Sequence, residues 1–317
     1  MHIVIPGALP PSVFAGELAK LLPQRAPVLH GWLQAASAVQ TAFDPRRHGC
    51  TPFEAWQLEQ AGYQTQPGLP LGAGLGPLLA ASAADDPQAV WLVELAHLAL
   101  GADQANLLAP DLMDLHADES RLLLETARPC MDEAGFHAEA LTPQRWRLTL
   151  PAGLTPAATA SPTAVAGRRL DAWWTQDAAT RPWRRLLNEI QMAWHEHPVN
   201  EVRAARGAPP VNALWLYGGA RGWTRPAAAN PAPLVLTQLD AAHRHGDWSG
   251  WLDALSALDS QHLQALAGKS GLPDQTVQLL LLGSERRVAL TLKPRGSLLG
   301  WLPASKKNWS AWWSHPV

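Results

Sequence analysis

Apolar side chains at Leu186, Leu187, Ile190 and Met192, with Trp194 two positions further on, fall at helical intervals, so a helix fits this stretch better than a strand. Pro198 limits it. A residue before proline is driven out of the α region and the proline itself has no N–H, which sets the stop at His197. Asn200 then reads as the cap of a second short helix, with Glu201 in its first turn, Arg203 and Arg206 toward its end and Gly207 closing it. Beyond Pro209 and Pro210, Val211 to Tyr217 has the character of a buried strand and ends in Gly218-Gly219. Ligands of open parallel sheets sit past the carboxyl ends of strands, so this glycine pair is a candidate site margin.

The rest of the pattern alternates strands with helices. Met1 to Ile5 predicts a short strand halted by Pro6-Gly7, followed by helices over Phe14–Leu22 and about Ala26–Ala42. Thr51 to Gly62 predicts a helix capped by Thr51, with Pro52 at its first position and glycine past its end. The glycine-rich run from Gly68 to Leu79 invites comparison with a phosphate loop, but it lacks the lysine and hydroxyl of that loop and reads as a flexible connection into a small-residue helix. Val90–Val93 is a strand, Asp118-Glu119-Ser120 opens a helix toward Gly135, and Trp146–Leu150 is a further strand. Residues 151–167, rich in Pro, Ala and Thr and poor in charge, read as a solvent-exposed connector. Leu234–Leu239 is a strand, Trp248 to Gly268 a helix, and Val277–Leu282 with Arg287–Leu292 a hairpin-like pair.

Composition narrows the class. A chain of 317 residues that is 47% hydrophobic can fill one large core or a core with an inserted domain. Only 16% of residues are charged and the net charge is −2, so the electrostatic footprint of a nucleic-acid binder is missing. Cys50 and Cys130 are too few for a disulfide framework and fit a reducing compartment. No apolar run reaches membrane-spanning length, and the start of the chain lacks a basic region followed by a long apolar segment, so a cytoplasmic location is expected. The sixteen tryptophans follow no fixed period, which argues against repeats. Trp173, Trp174 and Trp183 are interleaved with Arg168, Arg169, Arg181, Arg184 and Arg185, an arrangement that suits either a docked amphipathic helix or a cation–π face for an anionic or aromatic ligand. The tail, Lys306-Lys307-Asn308-Trp309 with Trp312 and Trp313, is expected to pack over a sheet edge.

The spacing His197-Pro198-Val199-Asn200, Arg203, Gly207, Pro210, Asn212, Gly218-Gly219 resembles archaeal-type cofactor-independent phosphoglycerate mutases of the alkaline phosphatase superfamily. With the preceding Asn188-Glu189-Ile190-Gln191-Met192 it is similar to a tryptophan-rich proteobacterial branch, the phosphoglycerate mutase-like or regulatory proteins. The likeness is specific over about thirty residues. It implies an α/β fold: an alkaline-phosphatase-like central sheet flanked by helices, with an inserted smaller α/β domain. The core is expected over 1–89 and 206–317 and the insert over 90–205, with the connector at 151–167 inside the insert.

The same resemblance implies a phosphorylated small-molecule ligand held by Asn200, Arg203, Arg206 and Asn212, since guanidinium forks suit phosphate and carboxylate. It implies metal ligands among Asp240, His243, His245 and Asp247, although Arg244 stands where the metal-binding histidine belongs. Other parts depart from the pattern. The first strand ends in Ile5-Pro6-Gly7 instead of an aspartate, Gly72-Ala73-Gly74 offer no acceptor hydroxyl apart from the later Ser82, and the Asp-His pair expected near Gly283-Ser284 is missing. Two-metal phosphoryl transfer needs several such ligands together. The leading expectation is therefore a catalytically degenerate, phosphoglycerate mutase-like protein with a regulatory or ligand-sensing role, no catalytic residue assigned and no cofactor. The alternatives are a divergent mutase or phosphatase using Mn or Zn, and a protein-interaction module with a protein partner. His195 and His197 flank Glu196 without completing a zinc-protease spacing, so one of them is expected to cap or hydrogen-bond.

Overall fold

The computed structural model describes residues 1–84, 86–101, 105–157, 159–173, 178–294 and 308–314. From the N-terminus run β1 (His2–Leu9), α1 (Ser12–Arg25), α2 (Pro27–Ala35) and β2 (Ser37–Ala42). There follow α3 (Pro45–His48), α4 (Pro52–Gln60), α5 (Leu75–Leu79), β3 (Ala89–Ala96), β4 (Leu98–Leu100), β5 (Ala105–Leu107) and α6 (Ala117–Glu133). Next are β6 (His137–Ala140), β7 (Arg145–Thr149), α7 (Pro162–Val165), α8 (Arg181–His195), α9 (Pro198–Ala205) and β8 (Ala213–Arg221). The chain closes with β9 (Leu234–Val235), α10 (Asp240–His245), α11 (Trp248–Leu258), α12 (Gln264–Leu266), β10 (Val277–Gly283), β11 (Arg286–Leu292) and α13 (Trp309–Ser314). Among the described residues no helix is long and apolar enough to cross a membrane.

The chain divides into two units, Met1–Asp44 with Ala227–Val317, and Pro45–Pro226. These boundaries differ from the expected 89/90 and 205/206. At the later boundary the reason is strand pairing, since β8 runs alongside β3 from Ala89↔Arg221 to Ala96↔Ala213, and at the earlier one it is the packing of α5 on β3 and β8.

The first unit holds a five-stranded sheet in the order β2-β11-β10-β1-β9. β1 is parallel to both β10 and β9, while β11 is antiparallel to β10 and to β2. Val277, Leu279 and Leu281 on β10 and Val288, Leu290 and Leu292 on β11 alternate inward and build a core with Leu18 and Leu22 of α1, Trp32 of α2 and Trp251 and Leu255 of α11. Three expectations change here. β1 does not stop at Pro6-Gly7 but bulges, and Gly7 takes φ +73 where an added Cβ would lie 2.7 Å from Leu239 O. The helix expected to reach Ala42 ends at Ala35, because the small and β-branched run 37–42 pairs with β11. The strand expected over 234–239 is only Leu234–Val235.

Helix ends in this unit are satisfied from a distance. Ala26 precedes α2 without a side-chain cap, and the Asp259 carboxylate accepts from Val28 N (3.1 Å) and Leu29 N (2.7 Å) instead. Burial raises the Asp259 carboxyl pKa, while these two bonds work the other way. At the tail, Trp309 and Trp313 are buried in the core, and the Arg286 guanidinium donates to Trp312 O and Trp313 O (both 2.7 Å) and to Pro10 O (2.9 Å). α13 thus packs on α1 rather than over a sheet edge, because a buried cation holds its last carbonyls. Lys306 and Lys307 lie outside the described residues, as does Trp174.

The second unit holds an antiparallel sheet in the order β6-β7-β3-β8, which leaves β8 at an edge. One face, with Trp91, Val93, Leu95, Trp146, Leu214 and Leu216, packs on Leu123 and Ala127 of α6 and on Leu186 and Ile190 of α8. The opposite face meets α5 and the turn Leu71–Gly74. Gly72, Ala73 and Gly74 are buried, so the run read as a flexible connection is packed interior. Thr51 caps α4, as the sequence predicts, and with Glu54 it forms a reciprocal capping box. The connector departs from expectation: Ala160, Ser161, Pro162, Ala164 and Val165 are buried. Ser161 explains this, since its hydroxyl donates to Glu54 Oε2 (2.7 Å) and accepts from Ala164 N (3.2 Å), joining the starts of α4 and α7.

Candidate functional site

Pro198 separates α8 from α9, and the residue before it does the capping. His197 Nδ1 accepts from Val199 N (3.1 Å), and its Nε2 lies 2.9 Å from Thr126 Oγ1. Asn200 is therefore inside α9 and is not its cap. Burial lowers the His197 pKa, in keeping with a neutral ring that accepts at Nδ1. Gly207 closes α9 with φ +74, as predicted.

The four expected ligand residues are all engaged within the chain. Asn200 donates from Nδ2 to Trp194 O (2.8 Å) and Val211 O (2.9 Å), and its Oδ1 accepts from Val211 N (2.8 Å). Asn212 accepts from Leu98 N (2.7 Å) and donates to Leu98 O (3.0 Å), clamping the start of β4 as a backbone amide would. Arg203 is 0% exposed, and it donates to Pro209 O, Asp114 O, Met113 O and Glu119 Oε2. Arg206 is partly exposed and forks between Asp114 and Glu119, with Nη1–Asp114 Oδ2 at 2.9 Å and Nη2–Glu119 Oε1 at 3.0 Å. Arg203 and Arg206, in the last turn and at the C-cap of α9, share Glu119 in the first turn of α6. Asn200 meets the backbone of Trp194 and Val211, so the polar atoms of all three are taken by backbone and carboxylates.

The expected metal ligands do not converge. Asp240 opens α10 instead of standing at a strand end, and its Oδ2 accepts from Arg244 Nε at 3.1 Å. Asp247 caps α11 through Gly250 N (2.9 Å), and the His243 Nε2 lies 3.0 Å from Leu9 O. His245 is exposed on the last turn of α10. Among the described residues no group of three or more His, Cys, Asp and Glu side chains is gathered to hold a metal ion. The donor set does not fit a two-metal centre, which needs several carboxylates and imidazoles facing one point.

His243 carries a pH prediction. Burial lowers its pKa below the ordinary imidazole value, so the folded state keeps it neutral while the unfolded chain protonates below about pH 6.5. The unfolded state then binds more protons, and stability falls as pH falls through that range. The expected result is that the stability advantage of wild type over His243→Gln shrinks between about pH 7.5 and 5.5 in urea titrations. A pH-independent difference would mean that the ring titrates freely.

A polar cluster that the sequence did not single out lies on the second face of the middle sheet. Arg145 stands directly opposite Glu94, with Nε 3.0 Å from Oε2, and Tyr217 reaches across from β8 with its hydroxyl 2.9 Å from the same oxygen and 2.7 Å from Arg145 Nε. Burial raises the Glu94 carboxyl, opposed by Arg145, and the Tyr217 phenol is held well above its usual value, mainly by burial. Burial works against the Arg145 charge, but Tyr217 and Glu94 outweigh it and keep its pKa above normal. Every member has a partner, so the cluster fastens three strands together. Period-two spacing puts Glu94 on the face of Leu92, but pairing it with Arg145 and Tyr217 requires the strand register, which sequence alone does not supply.

No protein family pattern matches the chain, and no curated protein matches it. Among solved structures it is similar to the cofactor-independent phosphoglycerate mutase from Thermoplasma acidophilum DSM 1728, at 13% identity over 98% of this chain and 94% of that one, with a TM-score of 0.35. It is also similar to the PH0037 protein from Pyrococcus horikoshii, at 12% identity over 98% of this chain and 91% of that one, with a TM-score of 0.47. Both likenesses are distant, and neither assigns a role to any residue of this chain.

Proposed function

We propose that this chain is a catalytically degenerate protein of phosphoglycerate mutase-like descent, with a ligand-sensing or regulatory role. The observation that supports the reading is the use of Asp240, His243 and Asp247: an ion pair with Arg244, a bond to Leu9 O and a helix cap. Each is a stable local use of a group that two-metal transfer would need free and convergent. The descent rests on the His197–Gly219 spacing, in which Asn200 and Arg203 have become buried struts. A phosphorylated metabolite remains the expected ligand class, with Arg206 as its most accessible guanidinium, at 29% side-chain exposure.

Purified chain supplied with Mn²⁺ or Zn²⁺ is expected to show no interconversion of 3- and 2-phosphoglycerate and no hydrolysis of p-nitrophenyl phosphate. Metal-dependent turnover that is lost in Asp247→Asn would reverse this reading in favour of a divergent mutase or phosphatase. Calorimetric titration with the two phosphoglycerates tests the sensing half. Saturable heat weakened by Arg206→Gln is the expected result, and no heat with either compound removes this ligand class.

A further inference from the structure

The edges of the two main sheets differ in how they are guarded. β8 is buried along almost its whole length, and the Thr159 hydroxyl donates to Leu216 O. β6 is short and carries His137 and Glu139, and β9 has only two residues. Short length and charge are ordinary means of keeping a strand edge from pairing with another chain. β2 uses neither. Ser37-Ala38-Val39-Gln40-Thr41-Ala42 ends its sheet without a charge, a proline or a glycine, and every residue but Gln40 is exposed, Val39 by 67%.

The register shows which backbone groups this edge presents. Phe43 N donates to Glu285 O (2.7 Å), and the pairing continues in step from Ala42↔Arg286 to Ser37↔Thr291. Backbone groups alternate in direction along an antiparallel strand, so Ser37, Val39 and Thr41 bond to β11 while Ala38, Gln40 and Ala42 turn their N–H and C=O outward. Among the described residues these outward groups have no partner. They are symmetric about Gln40. An antiparallel copy of the same strand, with Gln40 opposite Gln40 and Ala38 opposite Ala42, satisfies every one of them.

The flanking charges favour the same occupant. Asp44, Arg46 and Arg47 follow β2, whereas Gln34, Ala35 and Ala36 precede it. An antiparallel pair sets the charged end of one copy beside the neutral end of the other, while a parallel pair would bring like charges together. The Gln40 side-chain nitrogen is shielded from solvent without a hydrogen-bond partner, and a two-fold axis places Gln40 of the second copy directly opposite on the same face.

We propose that β2 pairs with β2 of a second copy of this chain, antiparallel across a two-fold axis at Gln40, so that one sheet runs through both copies. A strand pair of this length buries less than the roughly 1,200–2,000 Å² of a long-lived complex, so the dimer is weak and reversible. It draws on none of Asn200, Arg203, Arg206 and Asn212, and it holds whether or not the chain has lost metal chemistry.

Sedimentation velocity of the full chain between about 1 and 500 µM is expected to show a reversible monomer–dimer equilibrium with a dissociation constant of roughly 100 µM. Val39→Lys should weaken it about tenfold or more at an unchanged melting temperature, because the side chain is exposed and a lysine guards the edge. Gln40→Cys sets two thiols opposite each other with Cα atoms about 5.5 Å apart, within disulfide reach. Mild oxidation at high concentration should therefore link Gln40→Cys into a reducible dimer and leave wild type and Val39→Cys unlinked. A monomer throughout the range overturns the proposal and leaves the edge to a strand of a different protein. A dimer that Val39→Lys leaves equally tight, or oxidation that links Val39→Cys as readily as Gln40→Cys, overturns it as well.

Discussion

Replacing Arg203 by methionine is expected to lower the unfolding free energy by about 3 kcal/mol, the lower part of the range for breaking a buried charged network. The guanidinium is 0% exposed and serves three carbonyls, Pro209 O, Asp114 O and Met113 O, as well as the Glu119 carboxylate. Methionine fills much of the space but leaves those carbonyls without their donor, and a stranded buried acceptor costs about 1–3 kcal/mol. Glu119 keeps a partner in Arg206, which argues against the upper part of the range. Arg206→Met serves as the comparison. That side chain is 29% exposed, and losing a screened surface pair is expected to cost about 1 kcal/mol or less. Urea unfolding followed by fluorescence and circular dichroism measures both. Equal shifts for the two variants would contradict the assignment of Arg203 as an internal strut.

Gly76→Ala is expected to destabilise by about 3 kcal/mol, the upper end of ordinary overpacking. An added Cβ would lie 2.0 Å from Val90 O and 3.3 Å from Gly218 Cα, so it meets backbone and not a side chain that could turn aside. Gly218 contributes to the same contact with φ +94, where a Cβ would come within 2.7 Å of Val90 O. Helix propensity pushes the other way, since Ala in a helix is favoured over Gly by about 1 kcal/mol. The sign of the result is therefore decisive: a stabilised Gly76→Ala would show that α5 does not approach the β3–β8 irregularity so closely. Gly16 on α1 has nothing within 4 Å of its added Cβ, and Gly16→Ala is expected to show the propensity gain alone.

The elements that were legible carry their own punctuation. Thr51, Pro52 and Glu54 announce α4 within four residues, and the alternating Val277–Leu281 and Val288–Leu292 runs around Gly283 announce the β10–β11 hairpin. The β2 strand was not legible, because nothing local distinguishes Ser37–Ala42 from a helical continuation and its partner β11 lies far along the chain. The same limit explains Asp259, a cap brought to the start of α2 by tertiary contact, and the bond from Ser161, the local cap of α7, to the Glu54 carboxylate at the start of α4.

At the candidate site, residue type misled in a specific way. Arginine and asparagine in a family-like spacing suit phosphate, but the same donors suit backbone carbonyls, and only burial separates the two uses. Arg203 and Asn200 went to carbonyls. Asp240 and Asp247 sit at the helix positions that favour carboxylates, which also produces a metal-like cluster in sequence.

The place of β1 in its sheet bears on how the nascent chain matures. β1 is translated well before either of its neighbours, which appear only at 234–235 and 277–283. The stretch from Pro45 to Pro226 is continuous and can close during synthesis, while β1 and its apolar side chains wait unpaired. A polypeptide released at Pro226 would keep the middle sheet's strands and present a solitary, sticky N-terminal strand to chaperones and proteases.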